Sequence, residues 1–383
     1  MIYLDNPATS FPKPSCVTEA MVHFMNDIGA NPGRAGHHRA NESGRCIFSA
    51  RESVAALFSC DDSLRVVFTG NATESLNYII AGFLEPGDHV ITSSIEHNSV
   101  MRPLRAREKE GIVISTVSCD RQGFLSPIAL ENEIRPSTKL IILNHASNVT
   151  GSLQPLAEIG TIVRKHDLYF CVDAAQSAGA IPIHMERDAI DFLVFTGHKA
   201  LYGPMGTGGL VFGKRVDVDS VRPFITGGTG SKSEYEQQPC FLPDKFESGT
   251  PNTVGIAGLG AGVDYILSRG VESIRKREME LCEQLIGGLS ALHNVTVYGG
   301  LDPERQTATV SFSIDDISCS DAGFRLDEVF GICCRVGLHC APSAHKTIGT
   351  FPQGTIRFGA SYFTTMEEIE IAIDAVKALT QCR

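Results

Sequence analysis

The twelve cysteines of this 383-residue chain include no Cys-x-x-Cys pair. Zinc ribbons and thioredoxin-type redox sites need that spacing, so the pattern argues against both, and no metal site is expected. The cysteines are also scattered without the spacing of a disulfide framework. No apolar run approaches the length of about 20 residues that crosses a bilayer. The opening Met1-Ile2-Tyr3-Leu4-Asp5 has no basic region with an apolar stretch behind it, so a cytoplasmic location is expected. Basic charge is in short supply: 33 Lys and Arg against 44 Asp and Glu leave a formal charge of −11. That balance speaks against nucleic acid and anionic membrane surfaces as partners. Internal repeats and low-complexity segments are missing too.

The composition, with 43% hydrophobic and 20% charged residues, is that of an ordinary globular protein. The length exceeds what one small core needs, so one large and one smaller domain are expected. Between about 45 and 215, short apolar runs alternate with helix-like stretches. This is the pattern of an α/β fold whose mostly parallel sheet carries helices on both faces. Seven strands are predicted, at 65–68, 89–92, 112–117, 140–144, 169–172, 192–195 and 209–212, with an antiparallel course open for the last. A Gly-rich and then polar stretch at 226–246 reads as a mobile loop. Helical periodicity runs from 254 to about 292. A smaller α+β unit follows: a strand at 307–314, a helix at 321–330, strands near 334 and 356, and a closing helix at 365–379. The expected division is 1–20 as an N-terminal segment packing with the small domain, 21–260 as the large domain, and 261–383 as the small one.

Ligands of such sheets bind at the carboxyl ends of strands, and the chemical motifs fall there. Lys199 ends Phe195-Thr196-Gly197-His198-Lys199, just after the apolar run at 192–195. Burial beside a core disfavours its ammonium form and makes the amine a candidate nucleophile; alone, it reads as a surface lysine after a strand. Asp173-Ala174-Ala175-Gln176 closes the preceding apolar run. Pyridoxal phosphate needs an anion beside its pyridine nitrogen, a role for Asp173, and Gln176 suits its phenolic oxygen. Taken singly, such an aspartate is a helix cap. Together the two junctions point to that cofactor.

Thr69-Gly70-Asn71-Ala72-Thr73-Glu74-Ser75 lies between a strand and a helical pattern at 75–83, where free N–H groups form an anion site; an ordinary cap has the same sequence. His97, in Ile95-Glu96-His97-Asn98-Ser99, is a candidate to lie on the cofactor ring and move a proton, or else a structural histidine. Asn148, in Asn144-His145-Ala146-Ser147-Asn148, is a candidate for both a cofactor oxygen and a substrate carboxylate. Only Cys340 has a neighbourhood that suggests reactivity, because Arg335 and His339 precede it and cations favour a thiolate. Arg357, in Gly354-Thr355-Ile356-Arg357-Phe358, offers a planar fork for an α-carboxylate.

In this order the motifs resemble the class V aminotransferase family (pyridoxal-phosphate fold type I), from Tyr3-Leu4-Asp5-Asn6-Pro7-Ala8-Thr9 to the terminal helix. Within it they are most similar to the cysteine desulfurases and selenocysteine lyases. The resemblance implies that Lys199 holds the cofactor covalently, Asp173 pairs with the pyridinium, Gln176 contacts the phenolic oxygen and His97 stacks on the ring. It gives Ala72, Thr73, Thr196 and His198 to the phosphate. Phe246-Glu247-Ser248-Gly249-Thr250-Pro251-Asn252 is similar to a segment whose threonine reaches the phosphate of the neighbouring subunit, so Thr250 implies a homodimer with shared active sites.

Arg335-Val336-Gly337-Leu338-His339-Cys340-Ala341 resembles the Arg-x-Gly-His-His-Cys-Ala signature of the SufS-like (group II) desulfurases. The implied reaction turns L-cysteine into L-alanine and leaves a persulfide on Cys340 for a protein sulfur acceptor, with Asn148, Arg335, His339 and Arg357 around the substrate. The same residues would serve a lyase that releases selenium from L-selenocysteine to its own acceptor. An aminotransferase or β-eliminating lyase, with Cys340 incidental, is the remaining reading. Three departures stand out: Leu338 replaces the first histidine of the signature, Asn71-Ala72-Thr73 replaces Gly-Thr-Thr, and Asp173-Ala174-Ala175-Gln176 replaces Asp-Gly-Ala-Gln. The segment at 31–38 matches a substrate-pocket segment only loosely.

Overall fold

The computed structural model describes residues 1–32, 36–232 and 234–381. Gly33, Arg34 and Ala35 of the 31–38 segment, and Ser233 of the 226–246 stretch, lie outside the described residues. After the two-residue strand β1 (Ile2–Tyr3), seven strands form one sheet: β2 (Val66–Thr69), β3 (His89–Ser93), β4 (Val113–Val117), β5 (Thr138–Asn144), β6 (Tyr169–Asp173), β7 (Phe192–Thr196) and β8 (Gly208–Phe212). Their order is β2-β8-β7-β6-β5-β3-β4. Only β8 runs against its neighbours; the other pairings are parallel. The expected seven-stranded α/β sheet is the observed one.

Burial explains why these runs become strands. Leu140, Ile141, Ile142 and Leu143 of β5 are all fully buried, as a strand covered on both faces requires. The helix Leu156–Lys165 buries Leu156, Ile159, Gly160 and Val163, a spacing of three, four and seven residues that makes one stripe. Each large aliphatic side chain so buried contributes about 1.5–3 kcal/mol.

The smaller unit contains β9 (Val295–Tyr298), β10 (Thr309–Ile314), β11 (Ile332–Cys333), β12 (Arg335–Gly337) and β13 (Thr355–Gly359). Strands β12-β13-β10-β9 form an antiparallel sheet, and β1 pairs in parallel with β11. Strand β9 was not among the expected strands, because its four residues are only partly buried and give a faint alternation.

The helical periodicity from 254 to 292 resolves into two helices, Thr253–Arg269 and Val271–Ser290. Gly270 breaks it with φ of 80° and ψ of 128°, a backbone that residues with a Cβ avoid. A domain boundary at 261 would cut the first of these helices. Its Val263 and Ile266, with Ile274 beyond the break, belong to the core of the large sheet. Leu281 and later residues of the second helix join the other core, together with Ile2 and Leu4. The two cores therefore divide inside the second helix. No helix among the described residues is long and apolar enough to cross a membrane.

Candidate active site

Because β2, β3, β5, β6 and β7 run the same way, their carboxyl ends meet at one edge of the sheet. Asn144 and Asp173 stand side by side in register there. A cavity of roughly 250 Å³ opens at this edge. Lys199, Asp173, Gln176, His97 and Asn148 line it, with Ala72, Thr73, Thr196 and His198 toward the helix start. Five separate junctions of the chain thus converge on one space.

Local structure sets each group. Asn71 caps the helix Ala72–Gly82 by accepting from the Glu74 N–H at 3.0 Å, and Glu74 Oε2 accepts from the Gly70 N–H at 2.8 Å. This reciprocal pair leaves the first-turn N–H groups facing the cavity. A Cβ on Gly208 would lie 2.7 Å from Asn71 Cα and 2.9 Å from the Phe195 carbonyl oxygen. Only bare backbone lets this turn sit so close to the sheet.

The electrostatics follow from burial. The Lys199 ammonium is pushed down to about 8, chiefly by the surrounding protein and further by Arg357 and Arg335, with Asp173 opposing. Burial raises the Asp173 carboxyl, against an N–H from Ala175 at 2.9 Å and the charge of Lys199. A cation placed beside it would restore the carboxylate. His97 is pushed down to about 4 by burial and then by Lys199 and nearby arginines. Its Nδ1 accepts from the Ser99 N–H at 3.0 Å, so the neutral ring carries its proton on Nε2.

These residues fit pyridoxal phosphate. Thr196 Oγ1 and His198 Nδ1 are buried without a partner among the described residues, and with the free N–H groups of the helix start they make a set of donors for a phosphate. Asp173 is positioned for a protonated ring nitrogen and Lys199 for covalent attachment. No group of three metal-ligating side chains is found among the described residues.

The cysteine lies at the rim. Cys340 is exposed, and Arg335 Nη2 lies 3.7 Å from its Sγ. His339 and Cys340 have φ of 47° and 58°, consecutive left-handed residues that other contacts must hold. Those contacts reach the cavity wall: the Asn98 N–H donates to the Cys340 carbonyl at 2.9 Å, and Asn148 Nδ2 donates to the His339 carbonyl at 2.6 Å. The helix that follows, Pro342–Ile348, packs Ala344 and Ile348 into the core of the large sheet. The loop is fixed at both ends.

The model of the family described as aminotransferase class-V matches residues 2–371. The chain belongs to the class V aminotransferase family. A probable cysteine desulfurase of Methanothermobacter thermautotrophicus is 35% identical, over 97% of this chain and 92% of that protein. The apo structure of a cysteine desulfurase from Thermococcus onnurineus superposes with a TM-score of 0.93 at 32% identity, covering 99% of this chain and 94% of that one. A cysteine desulfurase structure from Escherichia coli gives a TM-score of 0.88 at 26% identity, with 99% and 94% covered.

Three expected residues, Thr250, Arg357 and His339, stand apart from the cavity lining or are differently engaged. Thr250 is exposed and does not line the cavity of its own chain. Arg357 is 1% exposed, and its guanidinium already donates to the Asn148 carbonyl at 3.0 Å and to Asp5 Oδ1 at 2.7 Å. Its Nε has no partner among the described residues. Burial, aided by Arg357, drives His339 down to about 2, and its Nε2 meets Thr355 Oγ1 at 3.1 Å. His339 is therefore neutral and gives Cys340 no positive charge, contrary to the expectation; of the two flanking candidates only Arg335 supplies one.

Sequence reasoning missed Ala8, Ser99, Asn144, Ala146 and Ala175, all of which line the cavity. The polar end of the 140–144 run was a usable signal for Asn144. Nothing in the spacing marked Asp5 as the partner of Arg357.

Proposed function

We propose that this protein is a pyridoxal-phosphate-dependent cysteine desulfurase that converts L-cysteine to L-alanine and leaves a persulfide on Cys340. The observation that carries the proposal is the seating of Cys340: exposed, beside Arg335, and held at the mouth of the cavity that contains Lys199 by the Asn98 N–H on its own carbonyl and the Asn148 side chain on the carbonyl of His339. An aminotransferase has no use for a nucleophile held there. The relatives that carry the name cysteine desulfurase support the same reading.

When bound, the cofactor would supply an electron sink for the substrate's α-carbon. Lys199, poised near neutrality, takes and returns protons at the substrate carbons. His97 presents its Nε2 proton toward the cavity, and Asn148 and Arg357 orient the carboxylate. Cys340 Sγ attacks the substrate sulfur, so an S–S bond forms while the C–S bond breaks. That electron pair stays with the carbon, which takes up a proton to become alanine. Arg335 stabilises the charged sulfur before attack.

In this reading Thr250 completes the phosphate site of a second copy, giving a homodimer, and the persulfide passes to a protein acceptor. A cytoplasmic setting suits the reduced thiol that the reaction needs. The test is alanine release by the purified protein from L-cysteine and from L-selenocysteine, with Cys340→Ser alongside. Turnover of cysteine that disappears in the variant is the expected result. Activity confined to selenocysteine would move the reading to selenium release, and full activity in the variant would overturn it.

A further inference from the structure

A second and smaller chamber, of roughly 40 Å³, adjoins Lys199. Lys199 and Gln176 line both spaces; Tyr202, Glu278, Thr307 and Ser361 line only this one. Tyr202 Oη, Thr307 Oγ1 and Ser361 Oγ are buried hydroxyls with no partner among the described residues. Each belongs to a residue more than nine-tenths buried, as does Glu278. Leaving a hydroxyl unpaired in protein costs about 1–3 kcal/mol, so three around one void call for an occupant that bonds to them. At about 10–15 Å³ per molecule, the void accommodates about three waters.

Glu278 stands in this chamber without a salt bridge among the described residues. Arg275, one turn earlier on its helix, turns its guanidinium to the carbonyls of Gln306, Pro303 and Glu304 instead. The Tyr362 N–H donates to the Glu278 carboxyl, and Tyr202 and Cys282 are the other titratable groups that face it. Burial pushes this carboxyl up to about 8, level with Lys199 at about 8. Proton exchange between two groups so matched costs little in either direction.

We propose that the chamber is an ordered-water site through which Glu278 exchanges protons with Lys199, acting through that lysine rather than touching the substrate. The proposal rests on the reading of Lys199 as the lysine that moves protons for the cofactor. In the step, the neutral acid gives its proton through the waters to the neutral amine. That leaves a carboxylate near Arg275 and an ammonium at Lys199, and solvent later returns the proton to Glu278.

The test uses the cofactor-loaded protein and Glu278→Gln. Two readings are taken: the pH titration of cofactor absorbance without substrate, and kcat and KM for cysteine. The expected outcome is a titration midpoint moved to lower pH, because the nearby carboxylate that favours the protonated form is gone. With it, kcat falls on the order of tenfold while KM is unchanged. A folded, loaded variant with the wild-type titration and kcat overturns the proposal. If Glu278→Gln does not fold, Thr307→Val replaces it: it keeps the shape and the carboxylate but removes one unpaired hydroxyl, so a fall in kcat at unchanged KM is expected, and a wild-type kcat overturns the proposal. Should the wild type make no alanine from cysteine, the desulfurase reading fails, and the absorbance titration alone still decides whether Glu278 and Lys199 communicate.

Discussion

Arg357 on β13 donates to Asp5 Oδ1 at 2.7 Å, joining a buried guanidinium to the N-terminal segment 352 residues earlier. Asp5 fixes one arm of the fork, and the Asn148 carbonyl fixes the other at 3.0 Å. In the proposed function, a substrate carboxylate would meet a guanidinium already held in place. Asp5→Asn is expected to raise KM for cysteine about tenfold with little change in kcat, the loss of one charge-assisted contact of about 1.5–3 kcal/mol being partly made good by the amide. Steady-state kinetics on both parameters would decide it, and an unchanged KM would remove Asp5 from the site.

The 3.7 Å approach of Arg335 to Cys340 Sγ predicts a reactivity difference that needs no turnover. Cys340 is exposed, so the attraction is worth about 1 kcal/mol. Arg335→Ala should slow alkylation of Cys340 by iodoacetamide at neutral pH about fivefold, followed by mass spectrometry of the labelled peptide. Arg335→Lys should recover most of the rate. Equal rates in all three proteins would show that the guanidinium serves something other than the sulfur.

Much of the fold was legible because its strands are short, fully buried runs, such as 140–144 and 192–195, set off by polar junctions. The junctions carried the site for the same reason: Lys199, Asp173 and His97 each follow an apolar run, and a parallel sheet brings such ends together. Pairings across the whole chain were not legible. Asp5 meets Arg357 only because β1 docks beside β11 and β13 runs past it, a consequence of tertiary packing that leaves no local pattern. The state of His339 was hidden likewise. Its neighbours in sequence suggested a cation beside Cys340, whereas burial and Arg357 keep it neutral. The break at Gly270 was overlooked because apolar periodicity continues on both sides of it.

Glu96 gives a pH dependence of stability. Its carboxyl is buried, accepts from the Asn144 N–H at 2.9 Å and meets Ser93 Oγ at 2.5 Å. Burial, with Asp173 nearby, raises it from 4.5 to about 8. Between those values the folded protein holds a proton that the unfolded chain has lost. The stabilisation is therefore complete below about pH 4.5 and is lost as the pH rises toward 8. Glu96→Gln removes this titration, so its stability relative to the wild type should improve by up to tenfold in the unfolding equilibrium per pH unit across that window. Denaturant unfolding of both proteins at pH 5 and pH 8 measures the difference; a gap that stays constant would contradict a buried, protonated Glu96.

Lys199 makes the sharpest prediction, because in the proposed function attachment of the cofactor needs its neutral amine. With the ammonium lowered to about 8, about a tenth of the amine is free at pH 7, against less than one part in a thousand for an ordinary lysine. The rate at which the apo protein takes up pyridoxal phosphate should rise about tenfold per unit below pH 8 and level off above it. The histidines at the site, His97 and His198, are held down at about 4, so neither titrates in that range. Stopped-flow absorbance across pH 6 to about 10, with Lys199→Arg as the control that develops no covalent signal, follows the profile directly. A rate still climbing at the top of that range would mean that the surrounding protein does not depress the lysine, and that its activation arises only after the cofactor has entered.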